Sequence, residues 1–166
     1  MKNITIIIAS KNKNLELAHA FESALTAANV PVRLLNLVDT DMPLYTPKTD
    51  KEHGVPQSIL DEAALLKKTN GFVVIAPEYN GGIPPVLTNF LAWVSRSSED
   101  WRDCFNGKPA VIATHSGGGG INVLVSMRTQ LAYLGVNVIG RQIHTNFSKA
   151  LSQDSLDAVV SQLITS

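Results

Sequence analysis

Five short apolar runs, each followed by a stretch able to form a helix, constrain this chain more than any other feature. The runs are Ile4–Ala9, Val32–Leu37, Phe72–Ala76, Ala110–Thr114 and Val136–Ile139. They are nearly uninterrupted rather than alternating, as strands covered on both faces are. Between and after them, apolar residues recur at three- and four-residue intervals: Leu17, Ala18, Phe21, Leu25 and Ala28; Ile83, Leu87, Phe90, Leu91 and Val94; Leu124, Met127, Leu131 and Leu134; Leu156, Val159, Val160 and Leu163. A further helix is predicted over Gln57–Lys68, opened near Pro56 and ended by Asn70-Gly71. Strand–helix alternation with right-handed crossovers predicts a three-layer α/β sandwich in one domain over residues 1–166. Its parallel sheet has five strands in the order 2-1-3-4-5, with five helices on the two faces.

The 14 basic and 14 acidic residues cancel, and no Lys/Arg run supplies the phosphate contacts that nucleic acid demands, so neither nucleic acid nor an anionic membrane is expected as partner. Cys104 is the only cysteine, which excludes an intramolecular disulfide. No apolar leader is read after Met1, and no run approaches the roughly 20 residues of a spanning helix. A cytoplasmic protein is expected, and no metal site is read.

In a sheet of this order, ligands gather beyond the carboxyl ends of the strands. Three loops lie there: Ser10–Asn14, Pro77–Ile83 and His115–Gly120. The first presents Ser10, Asn12 and Asn14 beside the unpaired N–H groups of a helix start, where an anion can sit. The alternative is that one of these side chains merely caps the helix. The loop contains neither a Gly-x-Gly-x-x-Gly fingerprint nor a P-loop, which argues against a standard dinucleotide fold and against ATP hydrolysis. The second loop, Pro77-Glu78-Tyr79-Asn80-Gly81-Gly82-Ile83-Pro84-Pro85, sets an exposed Tyr-Asn pair and two glycines ahead of two prolines, which suits a planar ligand. The third, His115-Ser116-Gly117-Gly118-Gly119-Gly120, offers backbone donors without side-chain obstruction, or is simply a loose turn. The segment from Asp39 to Val55 is long for a connection and reads as a cover or an excursion.

Pro-Glu-Tyr-Asn-Gly at 77–81, before a helix containing Asn89, Trp93, Ser95 and Arg96, resembles the NAD(P)H-dependent FMN reductase family, the flavodoxin-like group of quinone, azo-dye and chromate reductases. The resemblance runs from the first strand to the last helix. It implies an FMN whose ring lies against Pro77, Glu78, Tyr79, Asn80 and Gly81. Its phosphate would sit at Ser10, Asn12, Asn14 and Leu15, and its polar ring edge would meet His115, Ser116, Gly117 and Gly118. Two departures stand out: the first loop lacks the family's usual arginine and is several residues shorter, and Ala92 stands where an acidic residue commonly precedes the Trp. The implied reaction passes hydride from NAD(P)H through flavin N5 to a small acceptor, with no protein nucleophile or acid–base pair. On this reading Glu78 holds the loop or an interface. Two other readings of the fold are an electron carrier that does not use NAD(P)H and a flavin-free interaction or regulatory protein. Val86, Asn89 and Trp93 share a helix face away from the core stripe, which suggests a subunit contact; the alternative is that Trp93 is covered by its own chain. With the resemblance, this makes a homodimer or homotetramer the expectation.

Overall fold

The computed structural model describes residues 2–166. Its centre is a parallel sheet in the order β2-β1-β3-β4-β5, built from β1 (Ile4–Ile8), β2 (Val32–Asn36), β3 (Gly71–Ile75), β4 (Pro109–His115) and β5 (Asn137–Val138). The helices are α1 (Lys13–Ala27), α2 (Pro47–His53), α3 (Gln57–Lys68), α4 (Pro85–Val94), α5 (Ile121–Tyr133) and α6 (Gln153–Thr165). β1 and β3 are buried along their whole length because successive side chains feed two different cores. Ile4, Ile6, Ile8, Val73 and Ile75 pack with Leu17, Phe21, Leu25 of α1 and Leu156, Val159, Leu163 of α6. Ile7, Phe72 and Val74 pack with residues of α3, α4 and α5 on the opposite face. The uninterrupted apolar runs are thus the signature of a sheet between two helical layers.

Two counts in the sequence reading require correction. Six α-helices are present among the described residues, because the Asp39–Val55 stretch contains α2. Its start is chemical rather than periodic: the Thr46 hydroxyl accepts from the Thr49 N–H at 2.9 Å and Pro47 occupies the first turn, while none of its residues is buried. The fifth strand position is also split, with β6 (Ile143–Thr145) continuing beside β4 after β5 ends. Arg128 of α5 holds the break, donating to the carbonyls of Val138 at 3.2 Å and Ile139 at 3.0 Å and to Gln142 Oε1 at 3.1 Å.

The Asp39–Val55 segment is a cover, and what it covers is the α4 face assigned above to a subunit contact. Trp93 is 0% exposed; its indole N–H donates to the Pro43 carbonyl at 2.7 Å, and Tyr45 meets its ring edge-on at 5.0 Å. Asn89 donates to the same carbonyl at 3.0 Å and accepts from the Tyr45 N–H at 2.7 Å. Trp93 is therefore covered by its own chain.

Cys104 lies buried beneath α3, and burial, together with Asp103 beside it, pushes its thiol up to about 11. Because the thiolate is the nucleophile, Cys104 is expected to remain unreactive toward a chromogenic disulfide at pH 8 in the native protein. It should titrate as one thiol only when urea unfolds the chain; rapid native labelling would contradict this placement.

Candidate functional site

All three loops emerge at one edge because β1, β3 and β4 are parallel and in register there, with Ile8 opposite Ile75 and Ile75 opposite Ala113. Loop 1 (Ser10–Asn14) turns sharply into α1. Asn12, the residue before the helix, has φ 57 and its side chain makes no capping bond. A non-glycine residue held in this region is strained, and such strain collects at ligand-binding sites. Neither of the other polar side chains caps the helix: the Ser10 hydroxyl reaches only the Lys11 carbonyl, at 3.3 Å, and Asn14 is turned away. The first-turn N–H groups of Lys13 and Asn14 precede any intrahelical acceptor and remain available. Leu15 gives its N–H to the Asn12 carbonyl at 2.9 Å, and its side chain packs toward the α1–α6 core.

Asn14 is only 4% exposed and spends both ends of its amide on the third loop. Its Oδ1 accepts from the His115 N–H at 2.8 Å, and its Nδ2 donates to the His115 carbonyl at 3.0 Å. The candidate phosphate loop and the candidate ring-edge loop are thereby one piece. Glu78 joins the second loop to the third, its carboxylate accepting from the Val123 N–H at 3.1 Å in the first turn of α5, where a helix favours negative charge. The Thr114 hydroxyl donates to the Ala76 carbonyl at 2.6 Å behind them. Glu78 thereby ties loop 2 to the start of α5.

Within loop 2, Tyr79 and Gly82 exchange two backbone hydrogen bonds, at 3.1 and 3.0 Å, around Asn80 (φ 51) and Gly81 (φ 73). Positive φ at both central residues is the requirement of a type I′ turn, for which Asn-Gly is the preferred pair. The turn projects Tyr79, half exposed, over a cleft of about 420 Å³ whose walls include Ser10, Asn12, Pro77 and Val38. The cleft brings together sequence-predicted residues of loops 1 and 2; Ser116, Gly117 and Gly118 lie on loop 3 outside it.

The four glycines of loop 3 differ in kind. Gly120 is required by the fold, since at φ +64 a Cβ there would lie 3.0 Å from the His144 ring and 3.1 Å from Thr114 Cγ2. Gly118 and Gly119 have no positive φ, and nothing within 4 Å would meet an added Cβ. Packing within the chain gives no reason for glycine at either; a ligand lying against the backbone does. His115 has its Nδ1 3.0 Å from the Thr145 hydroxyl, while its Nε2, out of contact with water, has no partner among the described residues. Burial lowers the pKa of neighbouring His144, and the charge of Lys149 adds to the effect.

Both loop lysines have carboxylate neighbours: Lys11 pairs with Asp39 at 2.6 Å and Lys13 with Glu16 at 2.8 Å. These pairs are exposed and weak, so a phosphate dianion can compete for either lysine. The donor set of loop 1 fits a phosphate: two free N–H groups, a lightly held hydroxyl and a lysine. It lacks the fork of an arginine, which limits the number of directed bonds. Among the described residues no cluster of His, Cys, Asp or Glu is arranged to hold a metal, and no helix is long and apolar enough to cross a membrane. Sequence reasoning missed the Asn146–Lys149 turn beside His115. There Phe147 stands 80% exposed, edge-on to the His115 ring at 5.3 Å.

The chain is similar to several known reductases. A quinone reductase of Escherichia coli K12 is 29% identical over 135 residues, 74% of this chain and 70% of that protein. A 2-hydroxy-1,4-benzoquinone reductase of a Burkholderia species is 30% identical over 139 residues, 80% of this chain and 72% of that one. In structure, the flavoenzyme NAD(P)H:(acceptor) oxidoreductase FerB of Paracoccus denitrificans superimposes with a TM-score of 0.79 at 19% identity, over 99% of this chain and 96% of that one, and so shows the flavodoxin-like fold. The family model for NADPH-dependent FMN reductase matches residues 2–150, and the chain belongs to that oxidoreductase family.

Proposed function

We propose that this chain, as one domain, binds FMN across the three loops and reduces a small acceptor with NAD(P)H. Quinones head the list of acceptors, with azo compounds, free flavin and metal oxyanions as further members of the class. The observation that carries this reading is the pair of cross-loop clasps, Asn14 on His115 and Glu78 on Val123, which hold all three loops in place before any ligand arrives. Such preorganisation reduces the ordering cost of binding. Ser10, the N–H groups of Lys13 and Asn14, and Lys11 hold the phosphate. The Pro77–Gly81 turn and Tyr79 carry the ring, and the Ser116–Gly118 backbone faces its polar edge. When bound, FMN supplies hydride acceptance from NAD(P)H and electron delivery to the acceptor. The residues of the chain position the flavin and exclude water from it.

The test is direct: anaerobic NADPH added to protein reconstituted with FMN bleaches the flavin absorbance, and a quinone restores it. A flat FMN titration, or flavin that stays oxidised, defeats the reading. Loop 3 supplies a sharper check. Gly118→Ala is expected to fold with stability within about 0.5 kcal/mol of wild type or slightly above it, because no strain or contact opposes the methyl. Its FMN affinity is expected to fall severalfold. Gly120→Ala should instead cost about 1–3 kcal/mol in urea unfolding, from left-handed strain and the His144 contact.

A dimer or tetramer in the cytoplasm belongs to the same proposal, on a different face from the one read in the sequence. Ile121, Val125 and Tyr133 of α5 are exposed, and Tyr133 lies against Trp101, whereas Trp93 is sealed. Sedimentation at micromolar concentration is expected to show an oligomer, and Val125→Glu to shift it toward monomer.

A further inference from the structure

A second cavity, also about 420 Å³, lies on the α1–α6 side of the flavin loops, between the first turn of α1 and the turn that follows β6. Its walls include Leu17, Phe147 and Leu151, with Lys13, Lys149 and His115 supplying polar groups. We infer that this cavity takes the adenosine 2′-phosphate end of NADPH, with the adenine against Phe147 and the phosphate between Lys149 and Lys13. The inference rests on the oxidoreductase reading above and concerns the part of the dinucleotide that does not react.

Four observations carry it. First, Phe147 is at 80% the most exposed large apolar residue among the described residues, and it sits on a hydrogen-bonded turn. Asn146 and Lys149 exchange backbone hydrogen bonds at 3.0 and 3.1 Å across the turn that bears it, and Ser148 N–H donates to Asn146 Oδ1 at 2.9 Å. An aromatic face held out to water on an ordered turn is a stacking surface whose backbone has little entropy left to lose. Second, charge is unbalanced: Glu16 is the one acidic wall residue and is engaged by Lys13, while Lys149 has no carboxylate partner among the described residues. Third, the buried His115 Nε2, unpartnered among the described residues, belongs to a residue of this wall. Fourth, the cavity adjoins the flavin cleft: Lys13 lines both, and Phe147 Cε2 lies 3.7 Å from where a Gly117 Cβ would be. A dinucleotide with its nicotinamide over the ring seat must direct its adenosine half past one of these walls. This cavity has a nucleotide-compatible volume, an aromatic face and an unpaired cation. The FMN phosphate is provided for on the other side of Lys13, in loop 1.

The experiment uses 2′,5′-ADP as probe. Calorimetric titration into FMN-loaded protein is expected to give saturable binding that Lys149→Ala and Phe147→Ala each weaken by about tenfold, the worth of one charge-assisted bond or one stacking face. 5′-AMP binding should be weak and insensitive to Lys149→Ala. In turnover, Lys149→Ala should raise KM for NADPH and leave KM for NADH and the FMN dissociation constant unchanged. Wild-type affinity in both variants, displacement of FMN by the probe, or no binding at millimolar concentration overturns the assignment. If FMN itself fails to bind, the oxidoreductase reading falls, while 2′,5′-ADP binding to the flavin-free chain still decides this cavity. Both substitutions are at the exposed Asn146–Lys149 turn, outside either core, so folding is not at stake.

Discussion

Trp93→Ala is expected to lower the stability of this protein by about 3–5 kcal/mol, the largest loss of any single side chain discussed here, because it opens a large cavity and removes one of the two donors to the Pro43 carbonyl. For a chain of this size that is roughly 8–15 °C in Tm. Trp93 is fully buried between α4 and the Pro43–Tyr45 stretch, with its N–H on the Pro43 carbonyl at 2.7 Å. Without it, the segment carrying α2 keeps Asn89 and the Arg96–Asp50 pair at 2.9 Å, an ion pair whose arginine is exposed to water and which is correspondingly weak. The segment should therefore loosen before the rest of the fold does. Limited trypsin digestion is the measurement: cleavage at Lys48 and Lys51 is expected to accelerate strongly in Trp93→Ala, ahead of global unfolding measured in urea. Trp93→Phe keeps most of the volume and leaves Asn89 on the carbonyl, so a loss of about 1–2 kcal/mol is expected. Unchanged cleavage in Trp93→Ala would show that this tryptophan does not hold the cover.

The same residue shows how far the sequence was legible. Periodicity sets Trp93 apart from Leu87, Phe90, Leu91 and Val94 on α4, yet all five lie in one buried cluster, because periodicity cannot say what meets the second face. The partner is a main-chain carbonyl, at Pro43, and main-chain groups leave no trace in residue type. Legibility follows the buried apolar pattern: β1, β3 and β4, and α3 with its proline start, are where the pattern places them. α2 was missed because it buries nothing and exists through its Thr46-Pro47 start. β6 was missed because Ile143–Thr145 is short and its break from β5 depends on Arg128, on another element. In the site, the residue types of all three loops were visible. Gly81 and Gly82 were read as room for a planar ligand, whereas Asn80-Gly81 carries the stronger local signal of a type I′ turn. Phe147 was invisible as a site residue, since a lone aromatic after a short strand gains meaning only once the turn sets it against His115.

Least legible of all is the clasp between residues 101 positions apart, Asn14 and His115, and it supports the prediction with the clearest functional consequence. In sequence, Asn14 is a polar residue at a helix start, fit either to cap it or to bind phosphate. In the structure its side chain is a substitute for a strand neighbour, satisfying the N–H and the carbonyl of His115 where β4 leaves the sheet. Asn14→Ala removes two hydrogen bonds, each worth about 1 kcal/mol net, and leaves two half-buried backbone groups to be rehydrated, so a loss of about 2–4 kcal/mol is expected in urea unfolding. Asn14→Asp retains the acceptor toward the His115 N–H but sets a carboxylate oxygen against the carbonyl, and should recover at most part of that loss. Loops 1 and 3 then move independently, and a ligand that bridges them must order them on binding. FMN affinity should accordingly fall by tenfold or more in Asn14→Ala, about 1.4 kcal/mol by that measure alone. Fluorescence titration with FMN at low temperature, where the variant is still folded by circular dichroism, separates this effect from instability. Lys13→Ala, which breaks only the exposed pair with Glu16, is the matched control for stability and should change it by less than about 0.5 kcal/mol. If Asn14→Ala binds FMN as tightly as wild type while folded, the two loops are not joined for the sake of the ligand. The cross-loop clasp would then be a feature of the fold alone.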